Sequence, residues 1–170
     1  MFNRIIPLIL LGCCAHLSAQ DWNQDYTVAS NTAGDKFASS ICAIGDVNGD
    51  QVDDFVTGTP QESSAHFNSG SISIYSGADG SLLATRSGEE HGEQAGSRFA
   101  YLGLYSNTDV ALFACSSPFF ASSNGMFSGI VRIYSFDKST QTLDLFHTID
   151  GPMAGTMFGM SLASYQFDLI

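Results

Sequence analysis

From about Thr27 onward, apolar residues come in short runs and not at helical spacing. In Ser71-Ile72-Ser73-Ile74-Tyr75 the isoleucines alternate with serines and so share one face of a strand, the pattern of a sheet packed on a neighbour. The runs Phe37–Ile44, Phe55–Thr59, Ser71–Tyr75 and Leu82–Arg86 are rich in β-branched or aromatic residues, and clusters of Gly, Ser, Asn and Asp separate them. Gly77-Ala78-Asp79-Gly80 predicts a tight turn between the last two runs. No stretch of the mature chain shows an amphipathic helical pattern of useful length. The pattern predicts an all-β chain with four strands per unit.

The unit repeats. Gly34-Asp35-Lys36-Phe37-Ala38 recurs as Gly96-Ser97-Arg98-Phe99-Ala100 and as Gly155-Thr156-Met157-Phe158-Gly159, with Phe-to-Phe steps of 62 and 59 residues. Gly70-Ser71-Ile72-Ser73-Ile74-Tyr75-Ser76 matches Gly129-Ile130-Val131-Arg132-Ile133-Tyr134-Ser135, and Thr59-Pro60 matches Ser117-Pro118. Four-stranded repeats of about 60 residues, each needing a neighbour to bury its faces, predict antiparallel propeller blades. The organisation expected is a signal peptide over 1–20, a lead-in over 21–33, a first repeat over 34–95, a degenerate second over 96–154 and the start of a third over 155–170. The third stops at Asp168-Leu169-Ile170, inside its second strand. About two and a third blades make an incomplete ring, as expected of a fragment, a truncated product or a part completed by partners.

The most specific chemistry lies between the first two strands, in Gly45-Asp46-Val47-Asn48-Gly49-Asp50-Gln51-Val52-Asp53-Asp54. Asp46, Asn48 and Asp50 alternate so that a curled loop can aim their oxygens at one point, the Val52 carbonyl can follow, and Asp54 can close the set. Ca²⁺ takes 6–8 hard oxygen ligands, which these groups and water can supply. Without a cation the carboxylates repel one another, so loop order and metal binding are coupled. An EF-hand needs Gly at the sixth position, Glu at the twelfth and flanking helices; counted from Asp46 these positions are Gln51 and Thr57, and the flanks are strands. The competing reading is an Asp- and Asn-rich hairpin turn that holds no metal.

Repeat and loop together resemble FG-GAP repeats, as in the propeller of integrin α-subunits. Phe37-Ala38 stands where that family has Phe-Gly, Gly58-Thr59-Pro60 where it has Gly-Ala-Pro, and Phe158-Gly159 restores the family dipeptide. The resemblance implies an integrin-α-like β-propeller, with its calcium positions falling on Asp46, Asn48, Asp50, Val52 and Asp54. Phe99 to Asp109 and Phe158 to Asp168 each span 10 residues against 17 from Phe37 to Asp54, so the later loops read as seven residues shorter. Tyr105-Ser106-Asn107-Thr108 and Ala163-Ser164-Tyr165-Gln166 also lack carboxylates, and one metal site is expected.

Charge narrows the partners. With 17 Asp and Glu against 6 Lys and Arg, the net charge of −11 repels phosphate backbones and anionic lipid, which argues against nucleic-acid binding, and it attracts divalent cations. Arg4, the apolar run from Ile5 to about Ala15 and the small and polar residues His16–Gln20 form a secretory signal, too short for a transmembrane span. An alternative takes Leu10-Leu11-Gly12-Cys13 as a lipobox and Cys13 as a lipid anchor, which would make the chain a periplasmic or outer-membrane lipoprotein. Cys42 and Cys115 remain in the mature chain and sit in apolar runs; they read as buried thiols, with a bridge between them as the alternative.

Other residues carry blander readings. Glu89-Glu90-His91-Gly92-Glu93 reads as a solvated connection, His66 and His147 as isolated histidines, and Phe119-Phe120 as blade-interface residues or an exposed loop tip. No nucleophile elbow and no Gly-rich phosphate loop occurs, so the chain does not read as an enzyme. The expected function is a secreted, calcium-binding module that meets an extracellular protein or glycan ligand in adhesion. The alternatives are a structural cell-surface or envelope component and a non-catalytic piece of a larger secreted hydrolase.

Overall fold

The computed structural model describes residues 26–106 and 108–164. The signal sequence, Cys13, Asn107 and the stretch from Tyr165 to Ile170 lie outside them. Eight strands form: β1 (Ser40–Gly45), β2 (Asp54–Thr59), β3 (Ser71–Tyr75), β4 (Leu82–Ser87), β5 (Arg98–Leu104), β6 (Val110–Ser117), β7 (Ile130–Asp137) and β8 (Thr142–Asp150). They make two antiparallel sheets of order β1-β2-β3-β4 and β5-β6-β7-β8 in an open arrangement, and among the described residues there is no helix. The first strand begins three residues later than its apolar run suggests. Lys36 and Ala38 take φ of 60° and 53°, so Phe37 sits in a left-handed turn and not in a strand.

The sheets pack face to face, β1 beside β5 and β4 beside β8. Ile44, Val56, Ile72 and Ile74 of the first sheet, with Val47, meet Phe113, Cys115, Tyr134 and Phe136 of the second in one core. Phe113 and Phe136 are fully buried, each side chain worth roughly 1.5–3 kcal/mol against exposure. The far face of the second sheet carries the smaller residues Ala100, Ala114 and Val131, and Phe158 and Leu162 from the third unit cover them. Phe37 lies edge-on to Tyr75, 6.3 Å between centroids, and Tyr75 stacks on Phe55 at 5.7 Å.

Hydrogen bonding at the seams sets the true repeat. Ala95 N donates to Ser69 O (2.9 Å) and Phe158 N to Ser128 O (3.0 Å), while Gly88 N donates to Gly70 O (2.8 Å) and Gly151 N to Gly129 O (2.9 Å). Positive φ alternates in the same way at Gly34, Lys36 and Ala38, at Gly92, Gln94 and Gly96, and at Gly155, Met157 and Gly159. The counterpart of Phe37-Ala38 in the second unit is therefore Ala95-Gly96, four residues before the Phe99-Ala100 that the sequence offers. Phe99 belongs to β5, where its ring meets Phe113 at 6.1 Å.

The corrected alignment also removes the predicted shortening of the second loop. Gly45 pairs with Asp54 and Gly103 with Leu112, one register moved on by 58 residues. The two hairpins are equally long. The second zips further, through Leu104↔Ala111 and a bond from Tyr105 N to Val110 O (2.8 Å), because Leu104, Thr108 and Leu112 stand where the first has Asp46, Asp50 and Asp54.

Two further readings need correction. The polar connection Glu89–Glu93 is not wholly solvated: Glu89, Glu90 and His91 are exposed, but Glu93 is fully buried and paired with Arg132. Its carboxylate also accepts from Glu89 N (2.7 Å) and Glu90 N (3.2 Å). His66 is not isolated either, since its ring lies 5.1 Å from that of His91.

The seam depends on glycine at Gly58, where a Cβ would come within 1.9 Å of Gly96 O and 2.6 Å of Ser40 Oγ. Most of that clash is with backbone, which a rotamer change cannot relieve. Gly58→Ala is expected to lower unfolding free energy by about 3 kcal/mol or more, measured by urea denaturation. Destabilisation of under about 1 kcal/mol would show that the seam is looser than described.

Candidate metal loop and its surroundings

The loop between β1 and β2 starts at a register shift, where Gly45 takes φ 74°, and curls through Gly49 at 92° and Gln51 at 71°. Gln51 holds an angle that disfavours a side-chain-bearing residue, and the polar side chains of the loop maintain it. Asp46 accepts from Gly49 N at Oδ1 and from Gln51 N at Oδ2 (3.1 Å). Asn48 Oδ1 accepts from Asp50 N (2.9 Å), and Asp50 Oδ1 accepts from Val52 N (2.8 Å). Three successive side-chain-to-backbone turns thus bend the chain on itself.

Asp54 holds the base of the loop. It is fully buried, and its Oδ2 accepts from Val47 N (2.8 Å) and Asn48 N (3.1 Å), while Oδ1 accepts from Gly77 N (3.0 Å) of the β3–β4 turn. Burial pushes its pKa up, offset in part by the N–H donors from Gly77 and Val47. Asp46 lies below the ordinary range: partial burial would raise it, but the Gly49 and Gln51 N–H groups and Lys138 together outweigh that. Lys138 comes from the β7–β8 turn of the other sheet, and its Nζ lies 3.4 Å from both Asp46 O and Asp46 Oδ2.

Among the predicted site residues, Asp46, Asn48 and Asp50 therefore share one curl, Val52 follows on it with an exposed side chain, and Asp54 lies beneath. Asn48 Nδ2 donates to Asp50 Oδ2 (2.8 Å), which also accepts from Ser76 Oγ (3.2 Å). Among the described residues no three His, Cys, Asp or Glu side chains converge as a ready metal cage. The donor chemistry nonetheless suits a hard cation, with the carboxylates of Asp46, Asp50 and Asp54 and the amide oxygen of Asn48 falling within nine residues. Ser76 and Gly77, which sequence reading passed over, reach Asp50 and Asp54 from a turn more than twenty residues away.

Cys42 and Cys115 are both unbridged, Cys42 half-buried and Cys115 buried. Burial pushes the Cys115 thiol up to about 12, which keeps it protonated and unreactive at neutral pH.

Two four-stranded antiparallel sheets packed face to face, each joined to the next by the same parallel bridge, define the chain as a set of propeller-type blades. The family model of the FG-GAP repeat matches residues 37–75, from the turn before β1 to the end of β3 and including the acidic loop, so that stretch of the first blade carries an FG-GAP repeat. No curated protein matches the chain.

Asp54 is expected to matter with no metal present. Asp54→Ala strands three backbone N–H donors and should cost about 2–4 kcal/mol even in excess chelator. Asp50→Ala, at an exposed position, should cost under about 1 kcal/mol under the same conditions. Equal effects in denaturation with EDTA would contradict the distinct role given to Asp54.

Proposed function

We propose that the chain is a secreted, non-enzymatic interaction module whose first blade binds Ca²⁺ through Asp46, Asn48, Asp50, the Val52 carbonyl and Asp54. The observation that carries this reading is the acidic curl inside the matched FG-GAP segment, where carboxylates alternate with small and polar residues and fold back on one another. A bound cation would neutralise the mutual repulsion of Asp46, Asp50 and Asp54 and fix the loop against the β3–β4 turn. The blade ends then stand as rigid platforms for an extracellular protein or glycan ligand in adhesion. Export is supported by the n-region and apolar run of residues 4–15, and no helix among the described residues is long and apolar enough to cross a membrane.

Lys138 bears on the affinity. Its ammonium already rests on Asp46, so it supplies part of the positive charge that a divalent cation would bring. A single site at roughly 10⁻⁴–10⁻³ M is expected, in the range of extracellular modules. Isothermal titration of the folded chain with CaCl₂ should show one saturable event, weakened at least about tenfold by Asp50→Ala and strengthened several-fold by Lys138→Met. Absence of saturable binding by a chain with an intact β circular-dichroism spectrum would overturn the calcium reading. Unchanged affinity in Lys138→Met would overturn only the part given to Lys138.

A further inference from the structure

The end of the blades away from the acidic loop holds a cavity of about 200 Å³ where the β2–β3, β4–β5 and β6–β7 connections meet the turn before β1. Equivalent positions of successive units line it in pairs: Lys36 with Gln94, Ser39 with Ser97, Pro60 with Pro118. Arg98, Phe119 and Met160 complete the wall, and no carboxylate lines it.

The distribution of cations singles this cavity out. Five Lys and Arg fall among the described residues, and three are spent on carboxylates: Arg86 on Glu89, Arg132 on Glu93 and Lys138 on Asp46. The other two, Lys36 and Arg98, both line the cavity and touch neutral partners there. Gln61, whose amide nitrogen donates to Gly34 O (3.1 Å), accepts from Lys36 Nζ (3.1 Å), and Arg98 donates to the Ser97 carbonyl. In a chain of net charge −11, the two cations among the described residues that pair with no carboxylate thus stand at one concave site.

We propose that this cavity binds a carboxylate, carried by an Asp or Glu side chain of a partner protein. The guanidinium of Arg98 offers a planar pair of donors suited to a carboxylate, and Lys36 adds a point charge. Pro60, Pro118, Phe119 and Met160 give the methylenes of such a side chain an apolar wall. The volume suits one side chain and not an oligosaccharide. A polyanion would meet the repulsion of the whole acidic body, whereas one carboxylate close to two cations gains more locally than it loses at range. The assignment rests on the interaction-module reading in taking the ligand to be a protein, and it is independent of the calcium loop.

The test is an NMR titration of the ¹⁵N-labelled folded chain with N-acetylglutamate amide, N-acetylglutamine amide and methyl glucuronide, with CaCl₂ added in a separate arm. Glutamate is expected to produce saturable millimolar shifts at Ser97, Arg98 and Phe119 that weaken with NaCl, and glutamine none. Lys36→Gln/Arg98→Gln should weaken the glutamate effect at least tenfold, and Arg86→Gln should leave it unchanged. Equal binding of glutamine, shifts elsewhere, or no saturable shift would overturn the site. Tighter binding of the glucuronide would overturn its assignment to a protein side chain. Calcium shifts confined to residues 46–54 in a sample that ignores glutamate would sink the cavity and leave the calcium reading standing.

Discussion

Contact of backbone against backbone where one sheet hands over to the next is the constraint on which the other features depend. At the centre of the interface the sheets are held apart by Phe113, Tyr134 and Phe136, but at the connection end Gly58 meets Gly96 with no side chain between them. The parallel bridges Gly70↔Ala95 and Gly129↔Phe158 repeat that closeness at each seam. The gap between the two sheets thus narrows from aromatic width to backbone contact at the connection end. Three sets of connecting loops come together at that narrow end, where the cavity lies.

Much of this was legible in the residues. Alternating isoleucines and Gly/Asp turns mark the strands, and β3 falls where its apolar run does. The acidic loop was readable because its chemistry is local, each carboxylate reaching an N–H two to seven residues away. What was not legible is the register of the second unit. The turn before each first strand is defined by alternating left-handed φ, which Lys36 and Gln94 adopt as readily as Met157, so side-chain identity does not mark it. The eye follows the phenylalanine, and in the second unit that ring has moved into the strand while alanine holds the turn. A seven-residue deletion then appeared where the register shows a substitution of carboxylates by Leu104, Thr108 and Leu112.

Glu93 escaped for a related reason. Glu-Glu-His-Gly-Glu reads as a solvated run, yet its last member occupies the position of Asp35 in the first unit, and both acids are buried in the turn. Asp35 accepts from Phe37 N (2.9 Å), whereas Glu93, longer by one methylene, turns back to the N–H groups of Glu89 and Glu90 and across to Arg132. Burial pushes the Glu93 pKa up, while Arg132 and the two N–H groups pull it back. Arg132 is held in turn over the Phe120 ring, 5.6 Å from its centroid, so Phe120 is buried and its neighbour Phe119 is left at the cavity wall. A buried pair of this kind costs more when one partner is lost than it contributes over an apolar replacement.

Antiparallel meanders send the β1–β2 loop and the β3–β4 turn to one end of each sheet and the blade connections to the other. Asp46, Asp50, Asp53 and Asp54 lie at the first end, while Lys36 and Arg98 lie at the second, where the connections also carry Asp35, Glu62, Glu89, Glu90 and Glu93. Lys138 brings a positive charge to the acidic loop. It enters the acidic end from the neighbouring sheet, on a turn tied by Asp137, whose carboxylate accepts from Ser139 N (2.8 Å) and Thr140 N (3.2 Å) and is held below the ordinary range mainly by Ser139. One sheet thus supplies a fixed counter-charge to the loop of the next, so the acidity of that loop belongs to the pair of blades and not to the repeat alone. The acidic loop and the cavity lined by Lys36 and Arg98 thus lie at opposite ends of the same two sheets, set apart by the length of the strands and joined by one core.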